Sequence, residues 1–246
     1  MLVTIITPSF NSEKTIRRTI ESVLNQTYQN IEYIIIDGAS TDQTVKIAKS
    51  YEEAFGGRMY IVSEPDEGIY DAMNKGIRMA KGELIGIVNS DDYYETNAVE
   101  YMVGSRSTTP YQILYGFERI LSDEKETMTV LYHHSNLKKQ MITHPTCFVT
   151  KKLYEDKGCF DTAYRFSSDY DFMLKMSQDQ EVEFTPVYKL ISNYDLGGVS
   201  GTEAAYLETH ELYVKYGIMS SRKYKLLVLK CKVSRLIKKL FLKESA

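Results

Sequence analysis

Leu84-Ile85-Gly86-Ile87-Val88-Asn89-Ser90-Asp91-Asp92 runs five apolar residues, then Asn89 and Ser90, into two adjacent carboxylates. The unbroken apolar run reads as a strand buried on both faces, the pattern of a parallel sheet covered by helices. Two neighbouring carboxylates at the C-terminal end of such a strand repel each other, and burying even one unpaired charge is costly. A divalent cation relieves both. Hard carboxylate oxygens suit Mg2+ or Mn2+, and these ions bind phosphates. The pair marks a candidate metal–diphosphate site, although Asp-Asp also occurs in solvated turns and helix caps.

Outward from this segment, apolar runs and helix signals alternate. Residues 2–7 form a β-rich run stopped by Pro8, and a helix follows with Asn11 or Ser12 as cap and Ile16, Ile20, Val23 and Leu24 on one face. The run 31–36 ends at Asp37-Gly38, with Ser40 and Asp42 read as caps for a helix over 43–53. A third run, 59–62, ends at Glu64-Pro65-Asp66, and a helix over 69–80 leads back to 84–88. This order predicts an α/β domain with a parallel sheet. Downstream the spacing predicts a helix over 96–105, strands at 112–117 and 127–132 with a turn at 122–124, a short strand at 147–149, and a helix over 168–178. A strand at 182–187, a glycine-rich loop at 197–201 and a helix over 203–216 complete it. The loop could close over a ligand or simply connect.

With 246 residues, 43% of them hydrophobic, the chain fits one large domain over 1–220, in halves 1–95 and 96–220, and a tail over 221–246. Cys147, Cys159 and Cys231 have no metal-ligand spacing, and their odd number argues against a disulfide framework, as expected of a reducing cytoplasm. Neither a signal peptide nor a membrane-spanning stretch is expected. The net charge of −3 divides into +8 over 222–246 and −11 over the rest. An acidic body argues against a nucleic-acid binder, and the basic tail points to an anionic membrane surface. At 100° per residue Leu226, Leu229, Val233, Leu236, Ile237 and Leu240 form one stripe, with Lys232, Arg235, Lys238, Lys239 and Lys243 opposite or beside it. Such a helix either lies on anionic lipid, each cation contributing about 1 kcal/mol, or packs its stripe on the body.

Polar residues gather at the predicted strand ends: Thr7 to Asn11, Asp37 to Asp42, Glu64 to Gly68, and Asn89 to Asp92. In a parallel α/β sheet ligands bind outside those ends. The same residue types also populate ordinary loops. Four such ends in succession suit a cation and hydroxyl-rich groups, as in a nucleotide. Neither G-x-G-x-x-G nor G-x-x-x-x-G-K-[ST] is present, so phosphate falls to a metal rather than a glycine-rich loop.

Taken in order, Val3-Thr4-Ile5-Ile6-Thr7-Pro8-Ser9-Phe10-Asn11, Ser22-Val23-Leu24-Asn25-Gln26-Thr27-Tyr28, Ile36-Asp37-Gly38-Ala39-Ser40-Thr41-Asp42, the stretch 63–76, Asn89-Ser90-Asp91-Asp92, Gly158-Cys159-Phe160-Asp161 and Ser168-Asp169-Tyr170-Asp171 resemble the family 2 glycosyltransferases over about residues 2–200. The resemblance implies a GT-A fold, a Rossmann-like, mostly parallel central sheet flanked by helices, here with an amphipathic helical tail. It implies that Pro8, Ser9 and Asn11 line a base pocket, that Asp37 accepts from the nucleobase and that Asp66 shapes that pocket. Asp91 would meet ribose or diphosphate, Asp92 would hold Mg2+ or Mn2+, and Asp169 would be the general base. Many relatives carry Asp at the position of Asn89, so here the metal should depend more on the diphosphate. The implied activity is inverting transfer from a nucleoside-diphosphate sugar, a UDP-sugar first, to a glycan or lipid-linked hydroxyl. Its place would be bacterial surface-polysaccharide synthesis, on the cytoplasmic face of the cell membrane. A nucleotidyltransferase and an inactive nucleotide-sugar-binding scaffold are the alternatives. The residues alone do not separate Asp169 from Asp171; the resemblance favours Asp169. His144 reads either as facing the site or as packed, His133-His134 as surface, and Lys75 as able to reach nucleotide but more ordinary as an exposed helix lysine.

Overall fold

The structure is a computed structural model and describes residues 1–122, 125–195 and 202–244, with 236–244 as backbone alone. The first half alternates as expected: β1 (Val3–Ser9), α1 (Ile16–Leu24), β2 (Ile31–Asp37), α2 (Thr44–Lys49), β3 (Met59–Ser63), α3 (Ile69–Met79) and β4 (Leu84–Ile87). β1, β2 and β4 are buried along their whole length, which is why their sequences are continuously apolar rather than alternating. β5 (Tyr93–Tyr94), α4 (Ala98–Gly104), β6 (Gln112–Ser122), β7 (Lys125–Val130), β8 (Phe148–Thr150), α5 (Lys151–Lys157), α6 (Ser168–Met176) and β9 (Glu183–Asp195) follow.

The sheet order is β3-β2-β1-β4-β8-β6-β9-β5, with β7 on β6. β3, β2, β1, β4, β6 and β9 run one way; β8, β5 and β7 run against them. The mostly parallel α/β architecture is therefore as predicted. β6 and β9 are much longer than predicted, and β5 was not anticipated. The 122–124 turn, apart from Ser122, and the 197–201 loop lie outside the described residues.

Two predicted caps need correcting. α1 begins only at Ile16, after a turn in which Ser12 accepts through its main-chain carbonyl from Thr15 and Ile16. Asn11 takes a left-handed φ of 48°, which its side chain tolerates, and its Oδ1 accepts from the Thr41 amide at 2.9 Å. Asp42 does hold the start of α2, its Oδ1 accepting from the Thr44 amide at 2.9 Å, whereas Ser40 turns back to Asp37.

α3 joins the donor-side strands to the later half. Gly76 lets it lie on β1, since a Cβ there would come within 2.5 Å of Ile6 Cγ2. Asn74, buried, donates through Nδ2 to the Phe160 carbonyl at 2.8 Å and accepts at Oδ1 from the Phe160 amide at 3.1 Å. Leucine at this position fills similar space but leaves both main-chain groups unmet. Asn74→Leu is expected to lower unfolding stability by about 2–4 kcal/mol, read from urea midpoints; a loss near zero would show that the Phe160 groups find other partners.

The chain forms two compact units, Met1–Gly198 and Val199–Ala246, a division earlier than the predicted 220/221. The second holds α7 (Glu203–Lys215) and α8 (Ser221–Glu244). Thr202 caps α7 by accepting from the Ala205 amide, and Glu203 pairs with Arg235 at 2.6 Å. On α8 Leu226, Leu229 and Val233 are exposed. Among the described residues no helix is long and apolar enough to cross a membrane.

Candidate active site

The ends of β1, β2 and β3 meet at Asp37, which is 1% exposed. Its Oδ1 accepts from Ser9 Oγ at 3.2 Å and Ser40 Oγ at 2.5 Å; its Oδ2 accepts from the Ser40 amide at 2.9 Å and Ser63 Oγ at 2.7 Å. A carboxylate offers about four acceptor directions, and all are taken. As placed here Asp37 ties the pocket's loops together instead of presenting a lone pair to a nucleobase. Asp66 lies against Gly38, where a Cβ would come within 2.5 Å of Asp66 Oδ2. Pro8 and Ser9 are buried and Asn11 is exposed. The side chain that projects at this mouth is Phe10, 63% exposed, which sequence reasoning did not single out. The signal was a large aromatic between two polar residues at a strand end.

At the end of β4, Asp92 is fully buried. Its Oδ2 accepts from Asn89 Nδ2 at 3.1 Å, while neither Asp92 Oδ1 nor Asn89 Oδ1 has a hydrogen-bond partner among the described residues. Burial, then the charges of Asp91 and Glu118, push the Asp92 carboxyl well above the usual range. Asp91 is half-buried; burial raises its pKa, Asp195 adds to this, and Arg18 opposes it. Arg18 donates to the Asp91 carbonyl at 2.9 Å and to Asp195 Oδ2 at 3.3 Å, and lies over the Tyr93 ring. Two unpartnered oxygen acceptors beside further carboxylates fit a hard divalent cation held by Asp92 and Asn89. Among the described residues no group of three acidic, His or Cys side chains is placed to hold a metal.

Glu118 on β6 is buried, accepts from Ser192 Oγ at 3.2 Å, and is pushed by burial to about 7 from its ordinary 4.5. Between pH 4.5 and 7 the native state then holds more protons than the unfolded chain, so this group's contribution falls as pH rises across that window. Glu118→Gln stays neutral. In EDTA it is expected to gain about 3 kcal/mol over the parent chain between pH 5 and pH 8, by urea unfolding; equal pH dependence in both proteins would refute the assignment.

Asp169 stands in the first turn of α6, half-buried, with Oδ1 accepting from Tyr70 Oη and the Tyr170 amide, both at 2.8 Å. Asp171 is 5% exposed, so of the two carboxylates Asp169 is the accessible one. Burial pushes the Cys147 thiol up, and the charges of Glu118 and Asp169 add to this. His144 is the packed kind, edge-on to Phe160 at 5.6 Å, with burial lowering its pKa and Asp169 opposing. His133-His134 is not simple surface: His134 Nδ1 pairs with Tyr115 Oη at 2.8 Å and its ring stacks on Phe184. Lys75 is engaged by Glu64 at 3.0 Å, Asp71 at 3.4 Å and the Pro65 carbonyl.

Residues 4–171 match the family described as Glycosyl transferase family 2. A PGL/p-HBAD biosynthesis glycosyltransferase of Mycobacterium bovis is 27% identical over 82% of this chain and 80% of its own. Chondroitin synthase of Escherichia coli is 31% identical over 72% of this chain, which spans 26% of that protein. Among solved structures, S. aureus TarS 1-349 in complex with UDP-GlcNAc superposes with a TM-score of 0.68 at 17% identity, over 88% of this chain and 66% of that one. The mannosyltransferase PcManGT from Pyrobaculum calidifontis, in complex with GDP-Man and Mn2+, gives 0.62 at 18% identity, over 87% of this chain and 62% of that one. At such identity these two likenesses establish the fold.

Proposed function

We propose, for a chain that belongs to glycosyl transferase family 2, an inverting transfer of sugar from a nucleoside diphosphate, uridine first, to a hydroxyl of a glycan or lipid-linked acceptor. The carrying observation is an Asp92 Oδ1 at the end of β4 with no hydrogen-bond partner among the described residues, in a chain that also holds an accessible, oriented Asp169 on α6. The acceptor hydroxyl attacks the anomeric carbon opposite the leaving diphosphate. Asp169 takes its proton, a contribution of about 100- to 10,000-fold. Asp92 and Asn89 would hold Mg2+ or Mn2+, which would supply positive charge against the leaving diphosphate. Asp91, the more exposed of the acidic pair, is left for ribose or diphosphate. Phe10 offers an aromatic face to the base, and Ser9, Asn11, Asp37 and Asp66 hold the loops around it. The nucleotide sugars and Mn2+ bound by proteins of this fold, and the biosynthetic names of the relatives, support the reading.

We propose further that the enzyme serves bacterial surface-polysaccharide synthesis on the cytoplasmic membrane face, held there by 222–243. Exposed Leu226, Leu229 and Val233 share α8 with exposed Arg222, Lys223, Lys225, Lys230 and Lys232. Nucleoside diphosphate release is measured with a panel of nucleotide sugars, lipid extract as acceptor, and Mg2+ or Mn2+ followed by EDTA. The reading expects acceptor-stimulated release that EDTA stops. Release of sugar 1-phosphate, or of pyrophosphate when a nucleoside triphosphate and a sugar 1-phosphate are supplied instead, would favour a nucleotidyltransferase, and binding without turnover an inactive scaffold. Co-sedimentation with phosphatidylglycerol but not phosphatidylcholine vesicles is expected of the tail; no binding to either sinks the membrane role.

A further inference from the structure

We infer that Tyr70 is a positioning residue for the proton-accepting carboxylate, an inference resting on the reading of Asp169 as base. Tyr70 lies in the first turn of α3 and donates its hydroxyl to Asp169 Oδ1 at 2.8 Å, across 99 residues of sequence. The other donor to this carboxylate, the Tyr170 amide, also falls on Oδ1. Both bonds therefore fix one oxygen, and the hydrogen bonds described leave Oδ2 for the acceptor hydroxyl.

The phenol is itself held in place. It is 6% exposed and its ring packs on Phe160 at 5.6 Å, whose main chain is bracketed by Asn74 of the same helix. On its open side Tyr70 borders a pocket of about 150 Å³ with Gly68, Ile69, Thr162, Tyr164 and Arg165. That is well below the roughly 300–1,000 Å³ of drug-sized sites. One short segment thus serves two sides: Asp66, against Gly38, accepts from the Gly68 amide, and two residues later Tyr70 reaches Asp169. Tyrosine is needed because phenylalanine would pack equally on Phe160 but offer no donor.

A tyrosine that only packs would lower activity whatever stands at position 169. A double-mutant cycle in the full chain separates the two cases. Diphosphate release is measured for the parent, Tyr70→Phe, Asp169→Ala and the double variant, with the nucleotide sugar turned over fastest in the panel, alongside thermal midpoints. Tyr70→Phe is expected to lower kcat about 10- to 100-fold with donor KM changed less than about twofold, and to change nothing further in the Asp169→Ala background. An equal loss in both backgrounds, or an unchanged kcat, overturns the inference while leaving Asp169 as base. Parent-like turnover in Asp169→Ala, or no turnover by the parent, overturns the base reading and this inference with it.

Discussion

Asp169→Asn is expected to lower kcat for sugar transfer by about 100- to 10,000-fold, with donor KM changed by less than about threefold. The amide has the carboxylate's shape, and its oxygen can still accept from Tyr70 Oη and the Tyr170 amide. What it lacks is the ability to take a proton at neutral pH. The variant therefore isolates proton transfer from packing and donor binding. Steady-state diphosphate release with acceptor present is the measurement, checked by an unchanged thermal midpoint. If Asp169→Asn stays within tenfold of the parent while Asp171→Asn loses activity, the base is Asp171, and its burial must be relieved on binding.

Asp92→Asn is expected to reduce metal-dependent turnover by about 100- to 1,000-fold, the order seen when one preorganised charge-stabilising group is removed. It should also abolish the thermal shift given by Mn2+ with nucleoside diphosphate, about 3 kcal/mol at a hundredfold excess over Kd in the parent. The buried Asp92 carboxyl holds its proton to higher pH than an ordinary aspartate. A cation held there would have to displace that proton, so Mn2+ affinity in the parent is expected to rise with pH. Asparagine has no proton to displace and carries no charge that burial penalises. The ligand-free variant should then be no less stable than the parent at pH 8. Mn2+-dependent turnover within tenfold of the parent would remove Asp92 from the metal site.

The parallel half was legible because β1, β2 and β4 are buried on both faces and so spell themselves as apolar runs. The other half hides polar residues inside. Glu118 and Ser192 are buried against each other, and Arg119 reaches both Asn193 and Glu95. Read singly, such residues look like loop, so β6 was expected to stop at 117 and β9 at 187. The strand-end residues of the candidate site could be singled out from type and position. Tyr70, Arg18 and Ser63 were not, because each acts through a partner far along the chain. Asp37 shows the reverse: its place was clear, but the serines that occupy it could be known only from the fold.

The pairing of β5 with β9 sets an order of events during synthesis. β1 to β4 lie within the first 87 residues and can assemble as soon as they leave the ribosome. Tyr93 pairs with Asn193, a hundred residues later, so its ladder waits for β9. Until then Asp91 and Asp92 lack the neighbour that β9 brings in Asp195. Gathering them with Glu118 and Asp195 falls to the last stage of folding, when the parallel sheet beneath can bear the repulsion. A nascent chain halted before β9 would keep its sheet but lack the acidic enclosure, and would be inert while still incomplete.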